Sequence, residues 1–382
     1  MDRIGFGIVG SGFIAKVHLD SLRTVPGVEV VAIADVDTLR GQAFAEENGI
    51  PKTYPSHAAM LQDPDVNAVV IGVPNCYHAR IAMDCFAAGR HVVCEKPLAL
   101  TLEDARAMIA AARKAGVVLA YAEELCFIPK FVKAKKLMES GGIGRPYLVR
   151  QCEKHAGPYS PWFWKEEEAG GGILMDMGCH AIECIRWVVG KKRVKSVLAH
   201  MGTYLHGEIT REEDHVLIVM EFEDGTVGQA ESSWALKGGM DSTLEVFGTE
   251  GVVFADLLKG MGLKAFSENG FPDMWEPSKG WVHPDFDWLW NNGYPQEDAH
   301  FVECMRTGAT PIESGEDGLD VLEIMLAAYH SAGIGRKVML PFRPAGVRVP
   351  VDLWLNPRPD LGAGPIPEAT APASADGATA PA

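Results

Sequence analysis

Residues 7–15, with the sequence GIVGSGFIA, decide the fold of the first half of this chain. Gly10, Gly12 and Ala15 are spaced as G-x-G-x-x-A, a weak signal alone, but the strand-like run RIGFGIV leads in and the helical run AKVHLDSLRTV follows. In such a strand–turn–helix, the glycines allow a tight turn and let a pyrophosphate approach the backbone at the helix N-terminus. The stretch therefore predicts a dinucleotide-binding loop.

The next strand-like run ends at Asp35, roughly where an acid would bind the adenosine ribose. A carboxylate there accepts from the 2′-hydroxyl and repels a 2′-phosphate, and no arginine follows it until Arg40. We therefore expect NAD in preference to NADP. Asp37 is an alternative contact, or both acids cap the following helix. The cofactor contacts predicted in this region are Gly10, Gly12, Phe13, Ile14 and Asp35.

The alternation of strand-like and helical runs continues almost to residue 124. Such alternation, with nearly continuous apolar strands, predicts a doubly wound parallel sheet with helices on both faces. After a strand predicted over 146–155 and one helix, strands predicted between 193 and 256 follow one another without helices, which is typical of an antiparallel sheet. We predict an α/β nucleotide-binding domain over 1–124, an α+β domain over 125–355, and a disordered Ala/Pro/Gly-rich tail over 356–382.

The composition excludes several classes of partner. The formal net charge is −16, from 51 acidic and 35 basic residues, which argues against nucleic acid. No apolar stretch is long enough to cross a membrane, so we expect a cytoplasmic protein. The eight cysteines include no C-x-x-C pair, so we expect reduced thiols and no metal site.

A second stretch, GGGILMDMGCHAIECIRW at 170–187, is apolar but carries ionisable residues. On a helix, Asp176, His180, Glu183 and Trp187 fall on one narrow stripe. Because the rest of the helix surface is apolar, we expect the helix to be buried with this stripe facing a cavity or partners. A purely structural Asp–His hydrogen bond is the alternative.

The run HVVCEKPLAL ends a predicted strand at Glu95, Lys96 and Pro97. Ligands bind beyond the carboxyl ends of strands in doubly wound sheets, so Lys96 is placed to face the nicotinamide end of the cofactor. Removing a hydride from an alcohol carbon needs a base for the hydroxyl proton, and His180 is our candidate. Asp176 would orient the imidazole or accept from a neighbouring substrate hydroxyl, and Lys96 would stabilise the developing alkoxide.

With these motifs the chain resembles the Gfo/Idh/MocA oxidoreductases. The matching segments are GIVGSGFIA, AIADVD, EKPLAL, GGGILMDMGCHAIECIRWVVG and HFVECMRTGATPIESGEDGLDVLEIMLAAYHSAGIGRKVMLP. The resemblance implies an N-terminal Rossmann domain and a C-terminal α+β domain built on a large open sheet, commonly used to form a homodimer or homotetramer. It also implies that Lys96, Asp176 and His180 meet at the nicotinamide.

Further site residues are expected near these groups. The resemblance adds Pro74, Asn75, His78, Glu95 and Lys96 to the cofactor contacts, although Asn75 is also a possible N-cap. His155, Trp162 and Trp164 are candidate substrate contacts beside Lys96, Asp176 and His180, because aromatic faces stack on sugars, with packing as the alternative. Many relatives carry Asn or Arg where YAEELCFIP has Glu124 and Cys126, so this chain departs from the family's substrate pattern.

Together these features predict an NAD-dependent dehydrogenase that oxidises a secondary hydroxyl of a small polyhydroxy substrate to the ketone. The substrate class is a sugar, sugar derivative, glycoside or inositol. A related expectation is that the cofactor stays bound between turnovers. The alternatives are a family member that reduces an imine, tetrapyrrole or dihydrodiol, and a non-catalytic dinucleotide-binding sensor.

Overall fold

The computed structural model describes residues 3–258, 265–267, 280–282, 287–359 and 361. The strands are β1 (Ile4–Val9), β2 (Val28–Ala34), β3 (Lys52–Tyr54), β4 (Ala68–Ile71), β5 (His91–Glu95), β6 (Leu119–Ala122), β7 (Pro146–Lys154), β8 (Val194–Gly202), β9 (His215–Phe222), β10 (Val227–Ser233), β11 (Asp241–Gly248), β12 (Val252–Asp256), β13 (Ala265–Ser267), β14 (Gly280–Val282) and β15 (Val338–Met339).

The α-helices are α1 (Phe13–Leu22), α2 (Thr38–Asn48), α3 (His57–Met60), α4 (His78–Ala87), α5 (Leu102–Ala115), α6 (Pro129–Glu139), α7 (Glu166–Ala169), α8 (Cys179–Val188), α9 (Trp288–Asn291), α10 (Tyr294–Thr307), α11 (Gly315–Ile334) and α12 (Asp352–Leu355). Short 3-10 turns lie at Asn75–Tyr77, Glu124–Phe127 and Pro161–Trp164. None of these helices is both long and apolar enough to cross a membrane.

The first sheet has the strand order β3-β2-β1-β4-β5-β6, and all of its pairs are parallel. This is the doubly wound order of a dinucleotide-binding domain, so the Rossmann prediction is confirmed. Strands β1 and β4 are wholly buried, as expected for strands covered on both faces. Strand β3 was not predicted, because it has only three residues and none of them is buried.

The second sheet has seven strands in the order β12-β11-β7-β10-β9-β8-β15. Strands β7 and β10 pair in parallel and the other neighbours are antiparallel, which confirms a large, mainly antiparallel sheet. One face of the sheet is covered by α8 and α11. The other face carries a row of aligned residues that are exposed or half-buried, here called the outer row: Leu198, Val219, Gln229, Arg150, Glu245 and Phe254.

Helices from the second half of the chain also pack against the first sheet's domain. Helix α10 packs against α1, and α11 packs against α5. The backbone N–H of Tyr121 in β6 donates to the carbonyl of Glu313, just before α11. The predicted boundary at 124/125 thus separates two sheets whose helices intermingle, and the boundary itself stays a prediction. Of the tail predicted over 356–382, residue 360 and residues 362–382 lie outside the described residues.

The polar stripe predicted for 170–187 takes a different form in the structure. Residues Leu174–Gly178 form a π-helical turn, and the regular helix α8 begins only at Cys179. All ten residues of α8 are buried, as expected. The wider π turn breaks the 100° spacing that the stripe assumed, and such turns are frequent at functional sites. Glu183 pairs with Arg186 and Lys191 in a separate cluster, so the four residues do not form one stripe.

Candidate active site

The glycine loop between β1 and α1 has the geometry of a phosphate-binding turn. Gly10 has φ +96°, and a Cβ atom there would lie 2.3 Å from the carbonyl oxygen of Gly72, so only glycine fits. Helix α1 begins at Phe13 with Gly12 as its N-cap and without a side-chain cap. The N–H groups of its first turn, including that of Ile14, are therefore left for a ligand with negative charge. This arrangement fits a dinucleotide pyrophosphate.

The acidic residue at the end of β2 is tied to the same loop. The Asp35 carboxylate accepts hydrogen bonds from the backbone N–H of Ser11 at 2.9 Å and from its hydroxyl. Asp37 accepts from the backbone N–H of Arg40 at 3.1 Å, so of the two acids Asp37 is the one that caps α2. The Arg40 guanidinium donates to the Ser11 carbonyl at 3.2 Å. A cation therefore lies beside the loop, closer to the predicted ribose site than the sequence spacing suggested.

The loop after β4 uses its polar side chains within the protein. Asn75 is buried and donates to the carbonyl of Ala169 at 2.8 Å. His78 is fully buried between the carbonyls of Pro97 and Val73, at 2.8 and 2.9 Å, and burial lowers its pKa. These side chains hold the loop in place. The cofactor contacts expected from Pro74, Asn75 and His78 stay a prediction, which the backbone of this loop would have to supply.

Glu95, expected to contact the cofactor, belongs to a buried ion triad. Its Oε1 lies 3.0 Å from His18 Nε2, and His18 Nδ1 lies 3.1 Å from Asp298 Oδ1. Burial opposes a charge on His18, but Asp298 and Glu95 together hold its pKa well above the usual value. The triad joins α1, β5 and α10, and Glu95 Oε2 also accepts from the backbone N–H of Lys96 at 3.0 Å. Glu95 therefore positions the Lys96 backbone.

Lys96 and Asp176 meet, as predicted. Lys96 Nζ donates to the Asp176 carbonyl at 2.8 Å and to its Oδ1 at 3.1 Å. Burial disfavours both charges, but Asp176 raises the pKa of Lys96 and Lys96 lowers the pKa of Asp176. Trp234 Nε1 donates to Asp176 Oδ2 at 2.9 Å, and His155 Nε2 lies 3.4 Å from the same oxygen. The two groups therefore form a fixed, fully ionised pair.

His180 is held by a residue that the sequence analysis missed. Its Nδ1 lies 2.8 Å from Glu123 Oε1 and 3.5 Å from Glu124 Oε2. Burial lowers the pKa of His180 to about 4 and raises that of Glu123. Among the described residues no hydrogen bond joins Asp176 to His180, so the idea that Asp176 orients the imidazole is wrong. Glu123 takes that position, while Asp176 lies close enough to affect the His180 pKa.

Two residues of the site, Glu123 and Trp234, were not predicted, and they differ in the strength of their sequence signal. Glu123 directly follows β6, which lies beside β5, so its carboxylate and Lys96 lie at the same edge of the sheet. The rule that placed Lys96 would have placed Glu123 as well. Trp234 follows β10 in a segment without a comparable signal, and only the tertiary structure brings it to Asp176.

The three predicted aromatic contacts take different positions in the structure. His155 is buried, stacks on Tyr159 with ring centroids 5.0 Å apart, and reaches Asp176. Trp164 packs edge-on against Trp234, with ring centroids 5.4 Å apart, so it supports the group that binds Asp176. Trp162 stacks on Phe163, with ring centroids 3.8 Å apart. His155 is thus brought to the site, Trp164 lies behind it, and no contact links Trp162 to Lys96, Asp176 or His180 among the described residues.

Comparisons with known proteins agree with this geometry. Residues 4–123 match the model of an oxidoreductase family with an NAD-binding Rossmann fold, and residues 131–254 match the GFO/IDH/MocA C-terminal domain. Myo-inositol 2-dehydrogenase of Thermotoga maritima is 30% identical over 87% of this chain and 98% of its own. The 1,5-anhydro-D-fructose reductase of Ensifer adhaerens is 34% identical over 87% and 97%.

Among solved structures, GenD2 from gentamicin A biosynthesis, in complex with NAD, superposes with a TM-score of 0.85. It is 38% identical, and the match covers 89% of this chain and 97% of that protein. The two family models cover more than half of the 382 residues, and the relatives are matched over nearly their whole length. The glycine loop, Lys96, Asp176 and His180 thus occur together in a chain that belongs to the GFO/IDH/MocA oxidoreductase family.

Proposed function

We propose that this oxidoreductase is an NAD-dependent dehydrogenase that oxidises a secondary hydroxyl of a sugar, sugar derivative, glycoside or inositol to the ketone. One observation carries the proposal: the ionised Lys96–Asp176 pair lies beside a buried His180–Glu123 pair at the carboxyl edge of the nucleotide-binding sheet. A fixed cation next to a neutral imidazole suits the removal of a hydroxyl proton and the stabilisation of the resulting alkoxide. The names of the relatives support a polyhydroxy substrate.

In this proposal His180 is the base. Its lowered pKa, caused by burial, keeps the imidazole neutral at physiological pH. With Nδ1–H donated to Glu123, the lone pair of Nε2 would be free to accept the proton of the substrate hydroxyl. Glu123 thereby acts as a positioning residue, because it selects the tautomer without touching the substrate.

Lys96 stabilises the negative charge that develops on the substrate oxygen. Asp176 holds Nζ by two hydrogen bonds, so little reorganisation is needed when the proton leaves. A bound nicotinamide would accept the hydride from the same carbon. The loop of Gly10 and Gly12, with the first turn of α1, would hold its pyrophosphate.

The choice of NAD rests on Asp35. Its carboxylate is fixed by Ser11 at the point where the adenosine ribose is expected, so it would repel a 2′-phosphate. Arg40 opposes this preference only weakly, because its guanidinium already donates to the Ser11 carbonyl. The family description and the neighbour solved with NAD support the same choice.

Two further expectations accompany the enzyme. A homodimer or homotetramer is proposed through the outer face of the second sheet, where Leu198 and Phe254 are 42% and 63% exposed. A cytoplasmic setting is proposed as well, which the eight free thiols support. Retention of dinucleotide through extensive dialysis would support a permanently bound cofactor, and rapid exchange with added NAD would exclude it.

The absorbance of the reduced nicotinamide tests the function directly. The protein would be mixed at near-stoichiometric concentration with NAD, then NADP, and challenged with inositols, aldoses, sugar acids, glycosides and amino sugars. We expect a single turnover with NAD and at least one class. The proposal fails if no compound reduces either cofactor and no sugar ketone reoxidises NADH.

A further inference from the structure

Glu124 lies next to Glu123, the acid that holds His180. It begins the 3-10 turn after β6, at the sheet edge that carries Lys96. Its side chain is 15% exposed, and one of its oxygens lies 3.5 Å from His180 Nδ1. The Tyr294 hydroxyl is a hydrogen-bond partner of this carboxylate. A carboxylate therefore borders the base of the proposed reaction.

Lys96 is a cation that acts on both carboxyl groups beside His180, and its charge opposes the rise in their pKa values. Among the described residues, however, neither Glu123 nor Glu124 forms an ion pair with a lysine or arginine. Lys96 is held by Asp176, and His18 lies between Glu95 and Asp298. The second carboxylate oxygen of Glu123 is buried, and no group in the described part of the chain forms a hydrogen bond with it. Single ligand atoms of Glu123, Glu124 and His180 lie within 4.8 Å of one another.

Ionising both carboxyl groups of this arrangement is unfavourable without a positive ligand. Burial raises the pKa of Glu123 and of Glu124, because a carboxylate loses hydration on entering the protein. An ammonium group beside Glu124 would offset this cost and form a charge-assisted hydrogen bond. A neutral hydroxyl can form a hydrogen bond, but it supplies no charge. The site is thus better matched to a cationic polyhydroxy compound than to a neutral one.

We propose that Glu124 binds an ammonium group of the substrate, so that the substrates are amino sugars or aminocyclitols with the amino group near the oxidised carbon. This inference rests on the proposed dehydrogenase function, since it places the ammonium beside the base of that reaction. The overall reaction is unchanged: the carbinol carbon loses a hydride to NAD, the hydroxyl loses its proton to His180, and the ammonium keeps its protons. Glu124 determines specificity and does not take part in proton transfer.

Matched pairs of compounds test the inference. The rate constant kcat/KM would be measured with NAD for glucosamine against glucose and N-acetylglucosamine, and for an inosamine against its parent inositol. We expect the amine of at least one pair to exceed its neutral partners by about 10- to 100-fold, the range for a hydrogen bond to a charged group. N-acetylation removes the charge and should remove the advantage.

The substitution Glu124→Gln keeps the size of the side chain and removes its charge. It should lower kcat/KM for the amine by about 10- to 100-fold more than it lowers the value for the neutral partner. Glu103→Gln, at an exposed position in α5, is the control and should change neither. Equal losses for amine and neutral partner would assign Glu124 a structural role and overturn the inference.

Binding measurements separate this inference from the proposed chemistry. Calorimetric titration of the same pairs into protein saturated with NADH reports binding without turnover. Amine binding that depends on Glu124, without reduction of NAD by any compound, would support the inference and contradict the dehydrogenase. Turnover of neutral sugars with no preference for amines would support the dehydrogenase and contradict the inference. Loss of activity with EDTA and its return with Mg²⁺ or Zn²⁺ would show that these carboxylates bind a metal ion, and would overturn the inference.

Discussion

The chemistry of this site depends on which groups hold the two reacting side chains. Asp176 has its carbonyl and one carboxylate oxygen bonded to Lys96 and the other carboxylate oxygen bonded to Trp234, so it fixes the cation. Glu123 fixes the imidazole. The base and the cation are therefore positioned by different acids.

Replacing His180 with alanine should strongly reduce the rate of alcohol oxidation and leave the binding of NAD intact. We expect kcat for alcohol oxidation to fall by about 10²- to 10⁴-fold, the usual contribution of a general base. NAD affinity, measured by fluorescence titration, should stay near the wild-type value because the glycine loop and Asp35 are untouched. A comparable loss of NAD affinity would instead indicate that the histidine has a structural role.

Asp35→Ser should weaken the preference for NAD. The variant removes the carboxylate that would repel a 2′-phosphate and leaves Arg40 beside the loop, so kcat/KM for NADP relative to NAD should rise by about 10-fold or more. Asp37→Ser is the matched control. Serine also caps helices well, so this change at the N-cap of α2 should cost less than about 1 kcal/mol of stability and keep the cofactor preference. An unchanged preference in Asp35→Ser would contradict our assignment of this acid.

At the scale of single elements, the glycine loop depends on one position. Gly10→Ala would place a methyl group 2.3 Å from a backbone oxygen that belongs to the strand edge. We expect the free energy of unfolding to fall by about 3 kcal/mol or more, with loss of NAD binding, as judged by urea denaturation and titration. Gly116→Ala is the control, because its φ is also positive, +67°, but no atom lies within 4 Å of the added carbon. It should cost about 1 to 2 kcal/mol and leave NAD binding intact.

Strand β7 carries a buried acid whose protonation affects stability. Burial raises the pKa of Glu153 from 4.5 to about 8. Between these two values the unfolded chain has released the proton and the folded chain retains it, so the free energy of unfolding falls as the pH rises. The loss amounts to up to about 5 kcal/mol at pH 8.

Glu153→Gln should remove that loss. The variant should have a higher Tm than the wild type at pH 8 and no such advantage at pH 4.5, where the wild-type carboxyl is neutral in both states. Glu245→Gln, on the outer row of the same sheet, should show no gain at either pH. A wild-type Tm that changes with pH as that of Glu153→Gln does would show that Glu153 is ionised in the folded protein.

The elements differ in how far the sequence determines them. Strands β9 and β10 lie within the segment 193–256 that was predicted to contain successive strands, because one of their faces is buried and the other is not. The π turn at Leu174–Gly178 was missed, since local periodicity cannot show the contacts of Asp176 with Lys96 and Trp234. Lys96 was predicted because its motif follows a parallel strand, and the same rule could have placed Glu123. Trp234 comes from the second sheet, so no sequence signal placed it at the site.

For the whole molecule, the proposed homo-oligomer can be tested by a substitution on the outer face of the second sheet. Leu198→Glu introduces a charge into a face that we propose to be shared between copies. The molar mass by light scattering should fall to about that of a monomer while the circular dichroism spectrum is kept. Leu39→Glu, at an exposed site on α2, should leave the mass unchanged. A Leu198→Glu protein that keeps the wild-type mass would place the interface elsewhere.

Helices α10 and α11 pack against the domain of the first sheet, and this packing limits how the two halves of the chain can be exchanged with those of other proteins. Asp298 of α10 binds His18, and Arg113 of α5 binds Glu316 of α11, so the last third of the sequence completes the first. A gene cut at residue 124 would separate His18 from one of its two carboxylates and would expose the helix-covered side of β6. A chimera that borrows this nucleotide-binding half for another substrate half would therefore have to carry residues 294–334 with it.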